Sequence, residues 1–281
     1  MNKVKGSLPI FWGIHASPGK VWGRVLGFIP IVLLLLVYFN FSHKRHQDNP
    51  SDKLMPSISQ MYCETVNYVT VPDKRSGKIL FVEDTKASLT RLGWGVSISA
   101  IFGYVFGIVM GLYPGFRSLL NQLFTALSNV NPLAMLVIIL VALGIGEESK
   151  IFLIVFGIGI PLVRSIAQAV EKIPQEMIVK QETLGASQLG IIYRVIIPQM
   201  LPRLIDLVRM SLGSAWIFVI AAEAIASTEG LGYRVYLQQR YMNMSLIIPI
   251  VIFITTIAFV NDWILQQVLK MRRFKWYSPS N

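Results

Sequence analysis

The sequence has little charge and almost no cysteine. Of its 281 residues only 15% are charged and 53% are hydrophobic, whereas an ordinary soluble domain carries about 25% charged residues. The single cysteine, Cys63, excludes an internal disulfide and any metal site built from cysteines. The chain also lacks the short alternating segments of an outer-membrane barrel. The composition therefore predicts an integral membrane protein built from helices.

Motifs for catalysis and for metal binding are also missing. The three histidines lie near the first apolar stretch, and no His-Glu-x-x-His motif occurs. Residues 144–150 come nearest to a P-loop but have the wrong spacing, so the chain has no P-loop of its own for ATP. We therefore expect no catalytic residue, no metal site and no cofactor.

Six apolar stretches are candidates for membrane spans, each of which takes about 20 residues in a helix. The first resembles a signal peptide, but no small-x-small cleavage site follows it, so we expect a retained anchor. The second is rich in glycine, which predicts close packing inside a bundle. The third is short and follows a leading helix over 117–129. The predicted spans are 21–41, 92–112, 132–143, 151–169, 206–226 and 245–265.

These spans divide the chain into four parts. The segment between the first two spans is too short for a domain with its own core, and it holds an amphipathic helix over 54–69. The longest polar interruption of the later spans is the loop 170–203. The four parts are an N-terminal cytoplasmic segment with the first span, 1–42; an extracytoplasmic segment, 43–91; a core of five spans, 92–269; and a basic cytoplasmic tail, 270–281.

The Lys and Arg residues predict the orientation, because short cytoplasmic loops carry an excess of them. Six spans put both termini on one side, and that side holds 15 Lys and Arg residues against 11 on the other. Both termini and the loop 170–203 are therefore predicted to be cytoplasmic. The basic run 43–46 opposes this orientation, and the parity of the other spans outweighs it. The basic residues are scattered at span ends, which argues against nucleic-acid binding.

The loop between the fourth and fifth spans is the most informative segment. Residues 173–202 are typical of two short helices with a hinge at Gly185 and a stop at Pro198. The stretch is too polar for lipid and too apolar on one face for a free linker. We therefore expect a partner protein to bind it.

Two acidic residues fall within predicted spans, where charge is costly and often functional. Asp262 lies near the end of the last span, where we expect an interfacial position or a hydrogen bond across the bundle. Glu223 lies among alanines that suit a solute path, so it either lines that path or makes a similar bond. A proton-coupled carrier would need several such acids at mid-depth.

Four motifs together resemble those of one known family. The loop carries Thr183-Leu-Gly-Ala-Ser187 and Tyr193-Arg-Val-Ile-Ile-Pro198, and Ser211-Leu-Gly-Ser-Ala-Trp216 and Gly230-Leu-Gly-Tyr233 follow downstream. This set resembles the binding-protein-dependent ABC importer permeases of the nitrate/sulfonate/taurine-type group, over about residues 50–270. The sequence departs from the family pattern at one place, where Val179-Lys180-Gln181 stands at the position of the family's Glu-Ala-Ala.

The resemblance implies an all-α membrane protein of six transmembrane helices with the type I ABC importer (MetI-like) permease fold. It implies an importer in the inner membrane, made of two copies of this chain, two cytoplasmic ATP-binding subunits and an extracytoplasmic solute-binding protein. The solute would be a small polar compound such as nitrate or a sulfonate. The permease itself would need no catalytic group.

The resemblance also implies functional residues. The ATPase-coupling loop consists of Lys180, Gln181, Glu182, Thr183, Leu184, Gly185, Ala186, Ser187, Arg194 and Pro198. The candidates for lining the solute path are Glu223, Ser214 and Trp216. Two other classes remain as alternatives. A self-sufficient secondary carrier would show inverted repeats with broken spans in matching halves, and an intramembrane enzyme would need a convergent polar constellation.

Overall fold

The computed structural model describes residues 20–48, 54–73 and 77–271. Most of the predicted N-terminal cytoplasmic segment and of the basic tail lies outside the described residues. Within the described residues the chain forms α-helices and two π-helical turns and no strand. The α-helices are α1 (Lys20–Asp48), α2 (Ile58–Thr70), α3 (Leu80–Leu112), α4 (Pro114–Ser128), α5 (Pro132–Leu143), α6 (Glu147–Ile154), α7 (Ile160–Glu171), α8 (Gln175–Thr183), α9 (Gln188–Ile191), α10 (Ile197–Ala226), α11 (Leu231–Arg240) and α12 (Met244–Leu269).

Five helical stretches of the described chain are long and apolar enough to cross a membrane. They are Val25–Ser42, Leu80–Leu112, Glu147–Glu171, Gln188–Ala226 and Met244–Leu269. The pair of α4 and α5 passes the same test together but is bent by 98° between the two helices. With this pair as one crossing, the described chain has the six spans that the sequence predicts.

Glycines allow α3 to pack closely against α6 and α7. A Cβ atom added to any of four glycines of α3 would lie 2.6–2.7 Å from a side chain of the facing helices, so a larger residue does not fit there. The four pairs are Gly95 with Ile154, Gly103 with Leu162, Gly107 with Ile166 and Gly111 with Val170. The predicted packing of the glycine-rich second span inside the bundle is confirmed.

The bundle has two ends, which we call the α11 end and the α8 end after a helix that lies at each. At the α11 end, the beginnings of α3 and α6 meet the end of α10, with α11 and α2 beside them. At the α8 end, the last turns of α3 and α7 pack with α9 and the start of α10, around the buried residues Ile108, Val170, Ile191 and Ile196.

Helix α3 begins at Leu80, earlier than the sequence predicts. Residues 80–91 therefore continue the helix of the second span. The polar side chains of Asp84, Ser88 and Arg91 do not end the helix, because each is buried with polar partners. The predicted amphipathic helix is present as α2, which begins at the N-cap residue Ser57.

Pro198 does not stop a helix, so that prediction was wrong. The chain is helical from Gln188 to Ala226, and a π-helical turn over Ile192–Ile196 lies directly before Pro198. Proline lacks an N–H group, and its ring clashes with the carbonyl group four residues earlier in an α-helix. A wider π turn relieves that conflict. A second π turn, Val155–Gly159, precedes Pro161 in the same way.

Candidate functional site: the α8 segment and the ion network at the α11 end

The α8 segment, residues 170–203, extends from the bundle between α7 and α10. Helix α8 has no buried residue. The segment is held by Ile178 and Ala186, which pack partly buried against the cluster that contains Ile173 and Ile191. These two residues fix α8 and the turn that follows it to the core, while Leu184 and Gly185 between them are exposed.

The turn of the α8 segment has the geometry of a Schellman motif. The N–H of Ala186 donates to the carbonyl oxygen of Gln181 at 3.0 Å, and the N–H of Gly185 donates to that of Glu182 at 2.9 Å. This motif needs a left-handed residue at its end, and Gly185 has φ +79°. Ser187 then caps α9 by accepting a hydrogen bond from the N–H of Gly190 at 3.2 Å. The two predicted helices are therefore joined at Gly185, and these hydrogen bonds make the turn a rigid corner between them.

Large apolar side chains of the α8 segment are exposed. The most exposed are Val179 (52%), Leu184 (73%), Leu189 (66%) and Tyr193 (69%). Five of the predicted polar loop residues are exposed in the same segment: Lys180, Glu182, Thr183, Ser187 and Arg194. Gln181 is half-buried, and Pro198 lies beyond the corner in the helix that continues into α10. Exposed apolar side chains gathered in one short segment are typical of a surface that contacts another protein or the membrane.

At the α11 end, Glu223 is fully buried with hydrogen-bond donors around its carboxylate. Its relative exposure is 0%. It accepts hydrogen bonds from the hydroxyl of Ser88 and from Nη1 of Arg91, both at 2.8 Å, and from the N–H of Gly232 at 2.8 Å. The interpretation of Glu223 as a path-lining residue is therefore corrected, because its carboxylate is sealed inside the bundle and bonds across it.

Arg91 connects Glu223 to α6. Its Nε and Nη2 atoms donate to the two carboxylate oxygens of Glu147 at 2.6 and 2.8 Å. Nη1 also donates to the backbone carbonyl of Glu229 at 2.9 Å, and Lys150 donates to Glu147 at 2.7 Å. A guanidinium group with donors in this fork suits two-point binding of a carboxylate. The buried charge of Arg91 is thereby compensated on two sides.

The N-terminus of α11 donates three successive backbone N–H groups to this network. The N–H of Gly230 donates to Asp84 at 2.9 Å. That of Leu231 donates to the hydroxyl of Ser88 at 2.9 Å, and that of Gly232 donates to Glu223 at 2.8 Å. A helix N-terminus favours negative charge, because its first N–H groups have no partner within the helix. The backbone of α11 is thus attached to α3 and α10 by the acidic groups.

Asp84 binds two further side chains. Nε of Arg234 donates to it at 2.8 Å, and the hydroxyl of Tyr68 on α2 donates at 2.6 Å. Burial raises the pKa of Tyr68 above its ordinary value, and the Asp84 carboxylate raises it further, so the phenol stays protonated. Burial acts to lower the pKa of Arg234, but the hydrogen bond with Asp84, the charge of Asp84 and the interaction with Tyr68 together more than offset it, and the pKa is raised.

The other predicted path residues lie in different surroundings. Trp216 is 4% exposed and belongs to the hydrophobic core, so it does not line an open path in this conformation. Ser214 is exposed on α10. Asp262 pairs with Nε of Arg209 on α10 at 3.3 Å, which confirms the predicted contact across the bundle.

Sequence reasoning missed most of the ion network. Asp84, Ser88 and Arg91 were assigned to the segment before the second span, although their spacing of four and three residues puts them on one helix face. That spacing was the available signal. Their partners Glu147 and Glu223 are distant in the chain, and nothing in the sequence pairs them.

Comparisons with known proteins agree with this architecture. Residues 103–273 match the model of the family described as binding-protein-dependent transport system inner membrane component. The taurine transport system permease protein TauC of Escherichia coli is 35% identical over 191 residues, which cover 68% of this chain and 69% of that protein. The bicarbonate transport system permease protein CmpB of Synechococcus elongatus is 33% identical over 191 residues, with 66% and 69% covered.

Solved structures share the fold. The MetNI methionine ABC transporter in an inward-facing conformation has a chain that superposes with a TM-score of 0.55 and 18% identity, covering 66% of this chain and 94% of that one. A second crystal form of the same transporter gives a TM-score of 0.51 and 22% identity, covering 67% and 96%. At this level of identity the likeness shows the fold alone.

Proposed function

The chain belongs to the family of binding-protein-dependent transport system inner membrane components, and on that premise we propose that its α8 segment is the surface through which ATPase subunits drive solute import. Members of the family are multi-pass permeases of the inner membrane. This chain is accordingly the permease subunit of an ABC importer, which works with ATP-hydrolysing subunits and a solute-binding protein. Permease subunits are not themselves enzymes.

The exposed corner at Gly185 carries the proposal. A protruding segment with fixed ends and apolar side chains at its tip fits a cleft in a partner. Because the Schellman turn and the N-cap at Ser187 make the corner rigid, a movement of the partner would pass to α7 and α10 as a rigid-body shift. The residues that we assign to this contact are Lys180, Gln181, Glu182, Thr183, Leu184, Gly185, Ala186, Ser187 and Arg194. Pro198 acts differently, since it lies in the helix that would transmit the shift.

Thiol protection tests this assignment. Leu184 is 73% exposed, and a Leu184→Cys chain keeps the natural Cys63 at the opposite end as an internal control. We expect a soluble maleimide to label both thiols in the permease alone, and the ATPase subunits to protect only residue 184. Equal labelling of residue 184 with and without the ATPase would contradict the proposal.

Two copies of the chain are proposed to form the solute path between them. Helix α5 has 12 residues and spans about 18 Å, short of the roughly 30 Å hydrocarbon thickness. A helix end inside the membrane is tolerated where protein or water covers it. Val141 on α5 (83%), Ile145 in the turn after it (81%), and Met210 (71%) and Ile217 (56%) on α10 are exposed, as is Ser214. A C2 dimer across this surface would cover the end of α5 and leave Ser214 for the path.

The proposed substrate is a small polar solute of the sulfonate, nitrate or bicarbonate kind. TauC is named for taurine and CmpB for bicarbonate, and this chain is similar to both. The buried charged groups at the α11 end are paired with one another or with Glu147, and we propose that the path is lined by neutral groups such as Ser214. Selectivity is then expected in the binding protein, and identification of the ligand of that protein tests the substrate class.

The α11 end is proposed to be extracytoplasmic and the termini cytoplasmic. The predicted excess of Lys and Arg on the side of the α8 segment supports this orientation. Cys63 on α2 is exposed and serves as the probe. An impermeant thiol reagent should label it in intact spheroplasts, and labelling only after permeabilisation would invert the orientation.

A further inference from the structure

Helix α2 has one apolar stripe that no other part of the described chain covers. Ile58, Tyr62 and Val66 follow at four-residue steps and are 56%, 72% and 38% exposed. Side chains four residues apart lie on the same face of a helix. Glu64 is the only charged residue within Ile58–Thr70. The exposed side of α2 therefore lacks the charge that a water-facing helix ordinarily carries.

The opposite side of α2 is fixed to the bundle, so the stripe has a defined direction. Tyr68 is buried, donates to Asp84 at 2.6 Å and packs edge-to-face on the ring of Phe81, with the ring centroids 5.6 Å apart. At the other end a capping box between Ser57 and Gln60 fixes the first turn. The contacts of Tyr68 thus set which side of α2 faces the bundle.

The start of α2 lies at the depth of the end of the apolar span of α1. The hydroxyl of Tyr38 donates to the carbonyl of Pro56 at 2.9 Å, and that of Ser42 donates to the carbonyl of Met55 at 3.2 Å. Tyr38 and Ser42 belong to the last turns of the apolar window Val25–Ser42. The last turn of an apolar span lies where hydrocarbon gives way to headgroups. Residues 55 and 56 are thereby placed at that boundary.

The apolar surface of α1 continues into the stripe of α2. Only 6% of the window of α1 is buried, and near its end Leu36, Phe39 and Phe41 are 56%, 42% and 58% exposed. Lipid is the surrounding of such a surface in a membrane protein. The stripe begins where this lipid-facing surface ends, so the two form one continuous boundary.

From this placement we propose that the stripe of Ile58, Tyr62 and Val66 binds the phospholipid bilayer at its headgroup-to-acyl boundary. The adjoining stripe of Ser59, Cys63 and Asn67 is exposed and polar, and it faces the headgroups and water. A helix lying in the interface buries its apolar face in this way, and tyrosine is enriched at that level. Helix α1 packs lightly on the bundle, and α2 stabilises its position in two ways. One is the contact of α2 with lipid, and the other is the hydrogen bonds that α1 donates to residues 55 and 56.

Spin labels test the proposal. Single cysteines replace Ile58, Tyr62 or Val66 in a Cys63→Ser chain, which is reconstituted with its partner subunits in vesicles of phosphatidylethanolamine and phosphatidylglycerol. The native Cys63 and an Asn67→Cys variant are the matched controls on the polar stripe. We expect labels on the apolar stripe to collide with oxygen more than with a water-soluble nickel chelate, by a ratio several-fold above that of the controls.

Three results would overturn the proposal. Equal nickel accessibility on both stripes would show that α2 stands in water. Shielding of the apolar stripe from both reagents would show that protein, such as a second copy, covers it. Shielding that arises only on addition of the solute-binding protein would make the stripe a docking site for that protein. None of these results bears on whether the α8 segment couples to the ATPase, which is tested separately.

Discussion

At the scale of single residues, Glu223 shows how the chain tolerates a carboxylate inside a span. The group is fully buried, yet Ser88, Arg91 and the N–H of Gly232 donate hydrogen bonds to it. Arg91 in turn is held by Glu147. Each buried charge is thus paired and hydrogen-bonded, which is the condition under which such groups persist.

Removal of one partner should expose the cost of this pairing. A Glu223→Ala change leaves the charge of Arg91 without its buried partner, a loss of about 3–5 kcal/mol for a broken buried pair. Glu223→Gln keeps the shape and an acceptor oxygen, so we expect a smaller loss. Thermal unfolding of the purified protein measures both, with Glu176→Ala on the exposed helix α8 as the control. If Glu223→Ala unfolds at the wild-type temperature, the network does not stabilise the fold.

Gly230 is expected to tolerate no side chain. Its φ is +122°, and an added Cβ would lie 2.5 Å from the carboxylate carbon of Glu223. Gly230→Ala should therefore strain the backbone, displace Glu223 and sharply lower the yield of folded protein. Gly115→Ala, at which an added Cβ meets nothing within 4 Å, is the matched control. Yields measured by detergent size exclusion would contradict this reading if the two variants matched.

At the scale of helices and turns, the geometry at Gly185 shows why a glycine occupies this corner: either a side chain would clash or the backbone has a positive φ. An added Cβ meets nothing within 4 Å in the single chain, whereas φ is +79°. The positive φ is therefore the constraint at Gly185 within this chain, and not a close approach by another residue. Asparagine adopts left-handed conformations far more readily than a β-branched residue does.

This difference gives a paired prediction for the corner. Gly185→Val should abolish ATP-driven uptake, because the Schellman turn cannot form without strain, while Gly185→Asn should retain most of it. Protein abundance should stay near normal in both variants, since the residue is exposed. Uptake into reconstituted vesicles at equal protein level is the measurement. Wild-type uptake by Gly185→Val would show that this corner does not transmit the ATPase movement.

The sequence predicts helix ends well where neighbouring residues set them, as when a proline starts a helix or a glycine ends one. The span 132–143 matches α5 at both ends, because Pro132 can start a helix and Gly144 can end one. The rule failed at Pro198, where the π turn Ile192–Ile196 absorbs the proline. It also failed at the start of α3, where buried partners from distant parts of the chain let polar residues continue the helix. The ion network depends on such distant pairs, so only its spacing on α3 was visible in advance.

At the scale of the whole molecule, the exposed faces of α5 and α10 should meet their copies across a two-fold axis. A Val141→Cys change in a Cys63→Ser chain is expected to form a disulfide-linked dimer under mild oxidation, because that side chain is 83% exposed on the proposed interface. Leu119→Cys, 72% exposed on α4, is the control and should stay monomeric on a denaturing gel. Cross-linking of residue 119 with none at residue 141 would place the dimer contact elsewhere.

The most direct test of the proposed function is solute uptake into sealed vesicles that contain this chain, its ATPase subunits and the solute-binding protein. If this chain is the permease of an ABC importer, solute should accumulate only when ATP, the ATPase and the loaded binding protein are all present. Loaded binding protein should also stimulate ATP hydrolysis. Accumulation driven by an ion gradient, in vesicles that contain this chain without an ATPase, would contradict the proposed function and would favour a self-sufficient carrier.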